Sequence, residues 1–163
     1  MAFPTHAWIY QISDAPIKEA INEDTLYQGD GTDYDYCAAI TEEGRKSVIE
    51  ALKDYILPSG MFQQIDDTTF EYQGGIVEWK AQWVERIQDL ASQLNIENIL
   101  KFVGHSYKLE RALKNPLDTA SQFYLSGETD QTYAEESVEL MRWIEDLEVG
   151  SKIYLGGIID FHF

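Results

Sequence analysis

The stretch Lys152-Ile153-Tyr154-Leu155-Gly156-Gly157-Ile158-Ile159-Asp160-Phe161-His162-Phe163 sets the architecture. Seven of its twelve residues are apolar or aromatic, most of them types that favour an extended backbone, so it is a strand. A strand this apolar belongs inside a sheet. The glycine pair at its centre predicts a bulge or the close approach of a neighbouring backbone, since only glycine leaves no Cβ in the way.

Working outward from it, Gly150 closes a helix from about Thr132 to Glu148, with Tyr133, Leu140, Ile144 and Leu147 inward and Val138 and Met141 alongside. Glu135, Glu139, Arg142 and Asp146 recur at helical spacing on its outer face. Gln122 to Leu125 is a short aromatic strand. Upstream, Asn98 to Val103 is read as a strand, and Tyr107 to Leu113 either continues it past Gly104 or forms a short helix before Asn115 and Pro116. The strongest helix runs from Ile76 to Leu94, with one broad apolar face that includes Trp83, Ile87, Leu90 and Leu94.

Towards the N-terminus, Met61 to Ile65 and Thr69 to Gln73 flank Asp66-Asp67-Thr68 as a hairpin. Thr41 caps a helix whose first turn holds Glu42 and Glu43, where the dipole favours anions, and Pro58-Ser59-Gly60 ends it. Tyr34 to Ile40 and His6 to Ile12 are two further strands. Between them, Asp14 and Pro16 predict a short helix to about Asn22, and Tyr27 to Tyr34 is rich in turn formers. The expected fold is α+β: one domain spanning residues 1–163, with a mixed or antiparallel sheet of about six strands and three to four helices.

The 163 residues are 44% hydrophobic, enough for one core. Against 12 Lys and Arg stand 29 Asp and Glu, a formal net charge of -17 that opposes binding to phosphate backbones and anionic lipid. The charge is segmental. Residues 1–43 hold nine acids and one base, net -8; residues 128–163 hold nine acids and two bases, net -7; the 84 between hold eleven acids and nine bases, net -2. Lys101, Lys108, Arg111 and Lys114 form a locally basic stretch, the one place where a nucleic-acid contact or a pairing with the acidic ends is left open. Cys37 is the sole cysteine, so no intrachain disulfide forms, and with no signal-type or membrane-spanning apolar run a cytoplasmic location is expected.

No motif fixes a reaction or a ligand, and no catalytic residue or cofactor is assigned. Asp160 and His162, two apart on a strand, share a face and with His6 could hold a metal; the alternative is a solvated strand face with Ile159, Phe161 and Phe163 packing behind it. Asp30, Asp33 and Asp35 alternate as calcium ligands do, without the central glycine and terminal glutamate of that loop. Gly74-Gly75 before a helix lacks the lysine of a phosphate loop and is read as a tight turn. The ranking that follows puts first a non-enzymatic interaction module that binds or inhibits a basic protein, in the manner of an immunity or anti-restriction protein. Its expected contact set is Asp30, Asp33, Tyr34, Asp35, Tyr36, Glu135, Glu139 and Asp146. A small metal-dependent hydrolase built on Asp160 and His162, and a structural or assembly subunit that forms a homo-oligomer, are the alternatives.

Overall fold

The computed structural model describes residues 7–29, 32, 34, 36–126 and 131–162, with only the backbone of His162. Its centre is β6 (Lys152–His162), as the opening stretch demands. Strand β1 (Ala7–Ser13) runs antiparallel along one edge of β6. Two strands share the other edge: β4 (Thr69–Tyr72) at the start of β6 and β2 (Tyr36–Ala39) at its end, both antiparallel. Beyond β1 lies β5 (Gln122–Tyr124), parallel to it, and beyond β4 lies β3 (Phe62–Asp66), so the six-stranded sheet is mixed.

The glycine pair is a bulge. Tyr10 pairs with Ile158 and Ile12 with Leu155, so two steps on β1 face three on β6. The extra residue keeps Ile153, Leu155 and Ile158 on one face while Ile159 and Phe161 take the other, and both faces are buried. A Cβ on Gly156 would lie 2.2 Å from Gln11 Oε1, and one on Gly157 would lie 2.1 Å from the Ile21 carbonyl oxygen. Glycine is therefore required by contact at both positions.

One face of the sheet is covered by α1 (Glu42–Ala51) and α4 (Ser137–Glu145), whose Val48, Ile49, Leu140, Met141 and Ile144 meet Tyr10, Phe70, Phe123 and Ile153. Thr41 caps α1 as expected, its Oγ1 accepting from the Gly44 amide at 3.0 Å. The helix then widens into a π-type turn, Leu52–Ile56, that buries Leu52 and Leu57 together. Among the described residues no helix covers the other face, which is packed by the chain between β1 and β2 through Ile21, Leu26 and Tyr34.

Three expectations are corrected. The segment Pro16 to Asn22 is not helical, because side chains take the groups a helix would use: Gln11 binds Glu19 O and Ile21 N, and Thr25 Oγ1 accepts from Asn22 N. Asn98 to Val103 is not a strand, since Asn95 and Asn98 each accept the other's amide through their side chains, at 2.8 and 3.0 Å, and fold the chain into turns. After a π-type turn at Phe102–Ser106 the chain becomes α3 (Tyr107–Lys114), which settles that ambiguity in favour of a helix. Finally, α4 starts only at Ser137, so Glu135 lies before it and Tyr133 is exposed rather than inward. The helix α2 (Ile76–Ser92) forms as expected, yet none of its residues is buried.

Candidate functional site

Because β1 and β2 both pair with β6, the two acidic ends of the chain meet in one sheet. The described parts of these segments spread along the sheet: Asp14 follows Ser13, which pairs with Tyr154 near the start of β6, while β2 pairs with its other end. Acids of the two segments do meet at one place: Asp14, Asp146 and Glu148 line a shallow concavity of about 510 Å³ together with Lys152 and Tyr154. Bases from outside these segments pair with acids of the second one: Arg111 binds Glu136 at 2.7 Å and Lys80 binds Glu145 at 3.1 Å, both partly exposed pairs of modest worth. The hydrogen bond to Glu136 raises the proton affinity of Arg111 further. Lys114 is held by Glu110 one turn away, whereas Lys101 and Lys108 have no ion-pair partner among the described residues. Half of the basic stretch is thus spent inside the molecule, part of it on an acidic end.

The expected contact residues divide. Asp146 is exposed at the end of α4, and Glu139 pairs with Arg142 on the outer side of that helix. Glu135 is half-buried beside β5, where its backbone exchanges two hydrogen bonds with Phe123; burial, then the charge of Glu139, pushes its carboxyl above the usual range. Tyr36 is exposed, and so is Tyr27. Tyr34 is corrected to a core residue: only 2% exposed, it packs edge-on against Phe161, donates to Gln122 Oε1 at 2.9 Å and accepts from Ala134 N at 2.8 Å. A buried ring clamped at its hydroxyl has no surface to offer. Asp30, Asp33 and Asp35 lie outside the described residues.

The metal candidates fare differently. Asp160 pairs with Trp8 on one side and Ala38 on the other, while His6 and the side chain of His162 lie outside the described residues. Ile159 and Phe161 are fully buried on the opposite face. Among the described residues no group of three or more His, Cys, Asp and Glu could hold a metal ion. Gly74 and Gly75, at φ of 92° and 104°, make the tight turn into α2, and the Ile76 amide there is taken by the Tyr72 hydroxyl at 3.3 Å. Cys37 is buried against β6, and burial pushes its thiol up, away from the thiolate a nucleophile needs.

Sequence reasoning missed the feature with the clearest surface chemistry. Helices α2 and α3 form an arm, residues 76–114. Trp79 and Trp83 stack at 5.3 Å, and Trp83 Nε1 donates to Ala112 O at 3.0 Å, which ties α2 to α3 near the foot. Trp79 also packs on the core. Farther out, apolar side chains face solvent: Ile96 is 92% exposed, Leu100 94% and Val103 92%, with Ile99 and Phe102 about half exposed. Nine of the fifteen exposed large hydrophobics found among the described residues are on this arm, which is under a quarter of the chain, so the clustering is not the scatter every surface shows. The signal was present in Ile96, Ile99, Leu100, Phe102 and Val103, but the same run also suits a buried strand.

No family model matches the chain, and no curated protein or solved structure matches it either. Among the described residues no helix is long and apolar enough to cross a membrane.

Proposed function

We propose that the protein is a non-enzymatic interaction module whose acidic surface binds, and thereby blocks or escorts, a cationic protein. The observation that supports this reading is the concavity where Asp14 of one acidic segment meets Asp146 and Glu148 of the other, in a chain whose two end segments hold -15 of its -17. A field so concentrated raises encounter rates with a basic partner by about ten- to a thousandfold and then sets the register of the complex. Asp146, Glu139 and Tyr36, together with Asp30, Asp33 and Asp35, are the proposed contacts. The buried thiol of Cys37 also favours a binding role, since the chain's one cysteine is not activated.

The test is affinity capture from the native host at low and at high salt, run beside a variant carrying Asp14→Lys, Asp146→Lys and Glu148→Lys. A basic protein retained at low salt, released at high salt and lost from the variant is the expected result. Failure to retain any basic protein at low salt, or retention that the charge reversals leave intact, would sink the proposal.

A further inference from the structure

The arm carries six bases and five acids, a net of +1, so the rest of the molecule carries -18. Three of those six bases converge. Arg86 of α2 and Lys108 and Arg111 of α3 line one hollow of about 370 Å³ between the two helices, with Asp118 as its one acid. In four other concavities among the described residues the balance runs the other way: Arg111 against three acids, Lys152 against three, Arg45 and Lys46 against three, and Glu78 with no base at all. The hollow is thus a basic place on an acidic chain, and the sequence hides it because Arg86 stands far from the basic stretch.

Both guanidinium groups are already positioned. Arg111 is held by Glu136 through one terminal nitrogen at 2.7 Å, and Arg86 donates to the Pro116 carbonyl at 3.4 Å. Each uses one donor of a planar fork, and the other donors remain for a ligand. The Trp83 indole fastens the floor, since it donates to the carbonyl of Ala112, a buried residue of the lining. Beside the cations the lining turns apolar: Leu90 is half-buried, and the Tyr107 ring, 46% exposed, also borders the neighbouring hollow.

We propose that this hollow binds a small organic oxyanion, a phosphate ester or a carboxylate carried on a flat apolar body. The oxyanion takes Arg86 and Arg111, whose forks match carboxylate and phosphate oxygens, with Lys108 as a third contact. The body lies over Leu90 and the Tyr107 ring. Volume limits the occupant to about the size of a substituted ring, since the hollow is at the small end of ligand cavities. Charge limits it as well. A nucleic-acid strand long enough to gain from counterion release carries its phosphates past the hollow and along a body of -18, whereas a compact anion stays within about 8 Å, one screening length, of the three bases. This inference does not depend on the cationic partner, whose concavity of Asp14, Asp146 and Glu148 shares no residue with the hollow.

The experiment is a titration of the full chain with phenyl phosphate, benzoate and inorganic phosphate at constant ionic strength, read by the nuclear magnetic resonance of the Trp83 indole N–H. A saturable shift with a ring anion below about 1 mM is expected, with inorganic phosphate at least about tenfold weaker, and the tighter of the two ring anions names the head group. The double variant Arg86→Gln with Lys108→Gln changes only exposed side chains and leaves the Arg111–Glu136 pair in place. Its circular dichroism therefore stays that of the native chain while ring-anion binding weakens at least about tenfold. Tyr107→Ala is expected to bring phenyl phosphate down to the level of inorganic phosphate. No saturation by either ring anion at about 10 mM, or binding that the double variant keeps, overturns the proposal. Equal affinity of the native chain for phenyl and inorganic phosphate overturns the apolar body. A single-stranded oligonucleotide that shifts the same N–H at lower concentration than phenyl phosphate, with an affinity that falls steeply as salt rises, also overturns the proposal and makes the arm a nucleic-acid contact.

Discussion

Gln11 holds more of this structure than any other polar side chain on the sheet. Fully buried, it accepts from the amides of Ile21 and Gly157, both at 2.9 Å, and donates to the carbonyls of Glu19 and Ser126 at 2.9 and 3.1 Å. One amide thereby satisfies the bulge of β6, the covering segment and the end of β5 together. Gln11→Leu keeps the volume and orphans four backbone groups, each worth about 1–3 kcal/mol when buried, so a loss of about 4 kcal/mol in urea unfolding is expected. Gly157→Ala forces a methyl against the Ile21 carbonyl and is expected to cost about 3 kcal/mol. A loss under about 1 kcal/mol in both variants would show that the covering segment yields easily. The glycine pair was legible in sequence because few residue types suit a bulge. Gln11 was not, since a lone polar residue between Tyr10 and Ile12 reads as the solvated side of an alternating strand, and only the chain from Glu19 to Ile21 makes that side an interior.

Elements were legible where their ends carried local signals: Thr41 before α1, the Asp66-Asp67-Thr68 turn, and Gly74-Gly75 before α2. They were illegible where a partner distant in sequence competes for the backbone, as Gln11 does at Glu19 and Ile21. Amphipathicity announced α2 but not what it faces; its stripe meets α3 and the foot of the arm, and the far part stays exposed. The entry to α4 offers a test by pH. There Glu135 holds its proton more tightly in the folded chain than in the unfolded one, through burial first and Glu139 second. Its contribution to stability is therefore complete below the unfolded value and lost as pH rises through the folded one. Glu135→Gln is expected to raise the melting temperature at about pH 7 and to leave it unchanged near pH 3, where both side chains are neutral. Equal effects at the two pH values would place the gain in packing instead. Asp66 has the opposite sign: the Thr68 amide, above all, lowers its carboxyl, so its contribution fades as pH falls through the folded value.

For the whole molecule, the segmental charge was legible by counting, but its meaning required knowing that the ends meet. That depends on which edges of β6 are filled, which no periodicity encodes. Self-repulsion within the -18 body opposes compaction, so moving from about 10 mM to 150 mM salt is expected to raise the melting temperature; a fall would indicate that ion pairs such as Arg111–Glu136 outweigh the repulsion. The placement of β6 has a further consequence, in time rather than in energy. Its partners β1, β2 and β4 leave the ribosome long before it does, and Gly157 must find Gln11 across 146 positions of chain. The arm, by contrast, is tied by contacts closer in sequence, Trp83 to Ala112 and Arg86 to Pro116. During synthesis the sheet therefore cannot close until β6 has been made, whereas the contacts that tie α2 to α3 need only the chain through Pro116.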